Sequence, residues 1–220
     1  MINNTQTPEV IKQENSKVKR FDLVNFVIEK YGFSTYLEIG VAFGHSIRAV
    51  KASIKDGVDP VVEAHVQCPE INYKMTSDEF FNLEATKNKK YDVIFIDGLH
   101  HSDQIDIDIQ NSLNHLSEGG FIFLHDCNPV SYESQLVPRQ AVAWNGDGWK
   151  SIIKVRYNNK DLTTCVVDTD YGVGVIKKDP SEGINNQIHS IEDCLDWEYF
   201  IFHKIELLDL ITPEDFYKRF

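Results

Sequence analysis

The sequence predicts an α/β protein built on a doubly wound, mostly parallel sheet of seven strands, with helices on both faces and a C-terminal antiparallel hairpin. Three observations carry this. Short, strongly apolar runs, clearest at 91–96 and 121–124, alternate with segments of helical periodicity, as in parallel strands covered on both sides. Glycine-bearing turns follow the apolar runs, the first at Gly40 and Gly44. Near the end, the strand-like runs 163–168 and 171–176 are too close in sequence for a crossover, so they pair as a hairpin at the sheet edge.

The elements follow in order. Residues 1–18 are polar and form an N-terminal arm, frayed or briefly helical. The remainder, 19–220, reads as one domain. From Arg20, apolar residues recur at helical spacing up to Tyr31, and Gly32 suits the helix end. A strand over 36–40 and a helix over 45–53 make the first strand-turn-helix unit. A second strand ends at Val58 and Asp59, a third segment lies around 73–75, and a helix spans 78–86. The most apolar strand, 91–96, precedes a helix over 102–116, a turn at 118–120 and the strand 121–124. The segment 191–220 mixes acids with large apolar residues and is expected to be helical, packing on the sheet or on a second subunit.

Composition narrows the function. With 220 residues, 42% hydrophobic and 25% charged, the chain has enough apolar mass for one core and the make-up of a globular protein. A net charge of -12 argues against nucleic acid as the main partner. No apolar run reaches the roughly 18 residues of a membrane span, and the polar start at 1–6 is unlike a signal peptide. The expected setting is the cytoplasm, with a small-molecule or glycan acceptor and neither nucleic acid nor membrane as partner. Cys68, Cys127, Cys165 and Cys194 are spread too widely for a zinc pair or disulfide framework.

The strongest motif is Leu37-Glu-Ile-Gly-Val-Ala-Phe-Gly44. Glycine there lets a ligand approach the backbone at the carboxyl end of a strand, where open α/β sheets bind ligands. Ala42 breaks the GxGxxG spacing of a dinucleotide site, which disfavours a nicotinamide oxidoreductase. Glu38 beside the turn suits a cationic amino group better than a diphosphate. Asp59, at the end of the second strand, is a candidate for ribose hydroxyls. Ser77 and Asp78 are candidates either for contact with a base or for capping the helix that follows.

A second constellation lies past the two most apolar strands. Asp97 and His100 follow 91–96, and His125, Asp126 and Asn128 follow 121–124, so adjacent strand ends bring them toward one place. A carboxylate there must face a cleft rather than the core. Asp97, His125 and Asp126 are candidate ligands for a divalent ion such as Mg²⁺ or Mn²⁺. His100 is a candidate base, with Asp97 beside it. His101, Asp103, Asp106 and Asp108 read more simply as a loop histidine and solvated helix acids. Trp144 and Trp149, in a glycine-containing segment, either stack on an acceptor or pack against the helix layer.

The E-x-G-x-x-x-G turn resembles motif I of class I S-adenosylmethionine-dependent methyltransferases, whose sheet is Rossmann-like. With Asp97-Gly-Leu-His100, Asp108, Gly119-Gly120 and His125-Asp126, the chain over roughly 35–176 resembles the bacterial group Methyltransf_24, related to macrolide-sugar and aminocoumarin-sugar O-methyltransferases. The resemblance implies S-adenosylmethionine bound by Glu38, Gly40, Gly44, Asp59, Ser77, Asp78 and Asp97, and O-methylation of a sugar or natural-product hydroxyl. It also implies a divalent ion at Asp97, His125 and Asp126, and a base at His100. His125 departs from the acid or amide usual in relatives. The alternative is a catalytically silent S-adenosylmethionine-binding or protein-interaction domain of the same fold.

Overall fold

The structure, a computed structural model, describes residues 7–61, 63–64, 68–181, 183–184 and 187–220; the polar start at 1–6 lies outside the described residues. Strands β1 (Thr35–Ile39), β2 (Ile54–Val58), β3 (Ile71–Tyr73), β4 (Tyr91–Ile96) and β5 (Leu116–Leu124) run parallel. Each central strand sends alternate side chains to opposite layers. Leu37, Ile39, Ile94 and Ile96 enter one core, while Tyr36, Val93 and Phe95 enter the other. Fully burying each such side chain contributes about 1.5–3 kcal/mol, which is why the strands lack polar faces.

Strands β6 (Thr163–Val167) and β7 (Val173–Lys177) form the hairpin, with β7 inserted antiparallel between β5 and β6. The full order is β3-β2-β1-β4-β5-β7-β6-β8. The added eighth strand, β8 (Leu210–Ile211), pairs parallel to β6, so the hairpin is not the sheet's outer edge. Two residues inside an apolar helical stretch leave no alternation for a sequence reading to find. β5 is also longer than its expected span: it starts at Leu116, and its pairing with β4 slips between Tyr91 and Val93, where Ser117 to Gly120 bulge.

One layer holds α2 (Arg20–Tyr31), α3 (His45–Ala49) and α10 (Pro213–Arg219), packed through Leu23, Val27, Ile47 and Phe216. The other holds α5 (Ser102–His115), α7 (Trp149–Asn158) and α9 (Trp197–Leu208), packed through Ile105, Ile109, Trp149, Ile152, Phe200 and Leu208. Trp149 is fully buried, with its ring 4.1 Å from that of Phe200. Of the two readings for that residue, packing is the observed one. The segment 191–220 forms the short α8 (Ile191–Cys194), then α9, β8 and α10, all against the sheet. Leading into the domain is α1 (Pro8–Glu14), capped by Thr7. All four cysteines are buried free thiols, and burial pushes Cys127 up to about 12, which makes it inert at neutral pH.

The chain leaves β1 in one direction to build β2 and β3, then crosses back to β4 and β5 on the other side. Between the carboxyl ends of β1 and β4 the connections diverge and leave a crevice. The conserved logic of an open α/β sheet therefore points to the residues just after Ile39 and Ile96.

Candidate active site

The turn after β1 needs glycine for two separate reasons. Gly40 has a φ of 83°, and a β-carbon there would lie 2.2 Å from the carbonyl oxygen of Asp97. The turns after β1 and β4 thus touch backbone to backbone. Asp59 fixes the same turn from the other side: its Oδ2 accepts the N–H groups of Val41 (3.0 Å) and Ala42 (2.8 Å), and its Oδ1 that of Val61 (2.7 Å). The predicted ribose residue therefore also holds the loop that would wrap the ligand. Gly44, with φ 79°, opens α3 and faces Cys68 rather than the crevice.

Two cavities meet at this turn. One, of about 400 Å³, is lined by Ile39, Val58, Pro60 and Leu99, with Ser77, Asp78, Gln104 and Asp108 supplying polar groups. Ser77 and Asp78 are not the helix cap. Thr76 caps α4 (Ser77–Asn82) in a reciprocal pair with Glu79, leaving both side chains to meet Gln104 Nε2, at 3.4 and 3.2 Å. Asp108 is 1% exposed rather than solvated, because its helix face turns into this cavity. Burial raises its carboxyl to about 6, against the hydrogen bonds from Ser77 and Gln104. Asp103 is exposed and Asp106 pairs with Lys154 at 2.6 Å, so those two do face outward.

The second cavity, of about 370 Å³, holds the polar groups of Arg20, Glu38, His45, Ser46, Asp97 and His100, with Gly40 and Phe43 also in its lining. Glu38 is 1% exposed and accepts the Tyr36 hydroxyl at 2.6 Å. Burial raises its carboxyl to about 8, so it is mostly neutral at pH 7. Arg20 opens α2 and donates to Asp170 Oδ2 (2.8 Å) and Ser46 Oγ (2.8 Å), with its Nε 3.9 Å from Asp97. An isolated arginine at a helix start carries no motif, and its partners lie up to 150 residues away, so the sequence did not single it out.

Asp97, His100, His125 and Asp126 form one tight cluster. His100 Nε2 lies 3.1 Å from Asp97 Oδ1, and its Nδ1 lies 3.2 Å from Asp126 Oδ2. His125 Nδ1 is 3.2 Å from both carboxylates, and its Nε2, buried without a hydrogen-bond partner, is 3.8 Å from Asp170. Burial alone would pull both imidazoles down, but the two carboxylates outweigh it, raising His100 and lifting His125 well above its ordinary value. For Asp97 the same attraction overcomes burial and holds the carboxyl far below its usual range. The two carboxylates thus favour the charged form of both imidazoles in this buried cluster. Ligand atoms of Asp97, His100 and Asp126 lie within 4.8 Å of one another, a spacing that suits a divalent ion, with His125 against both carboxylates. Asn128 is not part of the cluster: its amide donates to Asp168 at 3.1 Å, away from it.

The backbone is bent to build this cluster. His100 and Asp126 have φ values of 60° and 59°, and Asp170 and Tyr171 are also left-handed. Non-glycine residues in that region cost about 1–3 kcal/mol each, and such strain gathers at functional sites. The segment 144–147 clamps the first of these turns. A β-carbon at Gly146, φ 66°, would lie 2.0 Å from the His100 carbonyl, and Trp144 stacks on the His100 ring at 5.5 Å. Asp147 caps α5 from a distance, accepting Ser102 N–H at 2.7 Å, because His101 makes no side-chain cap of its own. Asn145 donates to Asp126 at 2.6 Å.

On the far side of the cluster lies a third cavity, of about 410 Å³. His125 and Asp126 form its floor, Trp144 and Asn145 one wall, and Val10, Glu14 and Tyr171 another. Helix α1 belongs to that wall because Gln13, 1% exposed, donates to Asp168 (3.0 Å) and accepts from Tyr171 N–H (3.0 Å).

The strand order, with an antiparallel β7 between β5 and β6 and an elaborated crevice beyond β1 and β4, defines a class I methyltransferase fold. Residues 37–127 match the model of the family Methyltransf_24, described as a methyltransferase domain. This match supports a methyltransferase that takes its methyl group from S-adenosylmethionine. No curated protein matches the sequence. Among solved structures, an O-methyltransferase from Bacillus cereus in complex with SAH is similar at 13% identity and a TM-score of 0.52, over 76% of this chain and 86% of that one. The O-methyltransferase TomG from Streptomyces achromogenes, involved in tomaymycin synthesis and solved with SAM, gives 13% and 0.52 over 80% and 91%. An SAH-bound methyltransferase from Podospora anserina gives 16% and 0.53 over 79% and 82%. At these identities the likeness is one of fold.

Proposed function

We propose that the protein transfers a methyl group from S-adenosylmethionine to a hydroxyl of a sugar or natural product. One observation carries the reading: the carboxylate–histidine cluster borders the cofactor crevice through Asp97 and His100 and the third cavity through His125 and Asp126. The adenosine fits the apolar cavity, with Asp59 for the ribose hydroxyls and Ser77, Asp78, Gln104 and Asp108 for the base. The methionyl end fits the polar one, its ammonium toward Glu38 and its carboxylate toward Arg20. The acceptor cavity has no lysine or arginine among its lining residues but includes Glu14, Asp126 and Glu133, which favours a neutral or cationic acceptor over an anionic one.

In the transfer, the sulfonium S–CH₃ bond breaks as the O–CH₃ bond forms, leaving S-adenosylhomocysteine, and the hydroxyl proton passes to His100. Most of the acceleration comes from holding the two reactants in line. To accept that proton His100 must be a neutral imidazole, a form that the neighbouring carboxylates disfavour by raising its pKa. Asp97, Asp126 and His100 would also hold a divalent ion, with His125 beside them; such an ion would lower the pKa of the acceptor hydroxyl in place of proton transfer to His100, which cannot be ligand and base at once. The test is release of S-adenosylhomocysteine from S-adenosylmethionine with a panel of neutral glycosides, aminoglycosides and sugar phosphates. Turnover on the first two groups and not the third is expected; turnover only on the phosphates refutes the acceptor assignment.

The same reading takes the protein as a cytoplasmic enzyme on small molecules, its charge of -12 opposing nucleic acid and anionic membrane surfaces. Among the described residues no helix is long and apolar enough to cross a membrane. It also takes the chain as a homodimer through α9, where Ile201, Phe202 and Ile205 are exposed. Light scattering that gives the monomer mass at micromolar concentration rules the dimer out.

A further inference from the structure

A cavity of about 500 Å³ opens at the other edge of the sheet, where β6 begins and β7 ends, remote from the cluster. Arg156, Lys177 and Arg219 line it, with Thr163, Thr164 and Ser181. Two of these cations have carboxylate partners: Lys177 pairs with Asp179, and Arg219 with Asp209 at 2.6 Å. Arg156 does not, among the described residues. Its residue is 8% exposed, its Nε has no hydrogen-bond partner, and its Nη atoms reach the carbonyls of Thr164 and Gly183 only at 3.4 and 3.5 Å. Beside it the Thr164 hydroxyl, 1% exposed, is also without a partner.

An arginine cannot discard its charge by losing a proton, and a buried guanidinium without a counterion costs several kcal/mol. Asp209 attracts it but is already bonded to Arg219. The planar fork of N–H donors matches the oxygens of a phosphate or carboxylate, and a threonine hydroxyl adds a further donor. We infer that this cavity is the seat of a small oxyanion, a phosphate or carboxylate, held by Arg156 with Thr164 and flanked by Lys177 and Arg219. The ligand completes the charge balance of the α7 to β6 corner, independently of the methyl-transfer site.

The experiment follows thermal unfolding of the full chain in sodium phosphate against sodium chloride at equal ionic strength and pH. The wild type should melt about 3–5 °C higher in phosphate at roughly ten times the dissociation constant. Arg156→Met should remove this difference while keeping the shift caused by S-adenosylhomocysteine. Thr164→Val, which keeps volume and removes only the hydroxyl, should fold and bind phosphate at least about fivefold more weakly by ³¹P line broadening. No phosphate effect in the wild type overturns the inference, as does an undiminished effect in Arg156→Met or unchanged phosphate affinity in Thr164→Val.

Discussion

Replacing Glu38 by glutamine removes a buried carboxyl whose pKa is raised from the ordinary 4.5 to about 8. The native state keeps a proton that the unfolded chain releases, so stability is fully present below about pH 4.5 and is lost as the pH rises toward 8. Between pH 5 and pH 8 that loss integrates to about 3 kcal/mol, at roughly 1.4 kcal/mol per unit. Glutamine keeps the shape and the oxygen that accepts the Tyr36 hydroxyl but cannot ionise. Glu38→Gln should therefore melt close to wild type at pH 5 and roughly 6–12 °C above it at pH 8, since about 1 kcal/mol moves a domain of this size by 2–4 °C. Scanning calorimetry without ligand, at matched ionic strength, measures the gap. A gap that is constant between pH 5 and 8 refutes the buried, neutral Glu38.

The remaining expectations concern the site in use. If the cofactor ammonium meets Glu38, binding of S-adenosylhomocysteine at pH 7 should release a proton from that carboxyl, detected by titration calorimetry in buffers of different ionisation enthalpy and absent in Glu38→Gln. Gly40→Val should abolish cofactor binding and displace the turn, lowering the melting temperature, because its β-carbon would strike the Asp97 carbonyl; unchanged affinity would sink the assignment of the turn. His100→Ala should lower turnover by roughly 10²- to 10⁴-fold at unchanged cofactor affinity, whereas a larger loss on chelation or in Asp126→Ala would give the hydroxyl's activation to a metal. With His100 raised above its ordinary 6.5, kcat/KM should climb with pH through a value above 6.5; a profile flat from pH 5.5 to 8 contradicts that base.

Much of the fold was legible because it depends on local patterns: Tyr91–Ile96 is apolar throughout and cannot be a surface strand, and Gly40 sits where a ligand turn requires it. The convergence of Asp97, His100, His125 and Asp126 was legible for a related reason, since adjacent parallel strands align their ends. What escaped depends on distance in sequence. Arg20 reaches Asp170, Asn145 reaches Asp126, and Asp147 caps a helix 45 residues earlier, none of which any spacing announces. Asp108 was misjudged because a lone acid on a helix is usually solvated, and only the packing of α4 against α5 shows that this one faces inward. Trp144 and Trp149 have similar neighbours in sequence, yet one stacks on His100 and the other fills the core.

The wall that α1 gives the acceptor cavity has a wider consequence. The sheet and its turns serve the common reagent, which every enzyme of this class must hold alike. On the proposed assignment the acceptor would be met by Val10 and Glu14 from a leading helix and by the connection 130–145, neither of them part of the sheet. Selectivity would then be carried outside the sheet, the leading helix being fastened largely through Lys12 and Gln13 to Asp168. Exchanging those two segments between relatives would retarget the enzyme without disturbing its donor chemistry, and such modularity lets one scaffold drift among many acceptors.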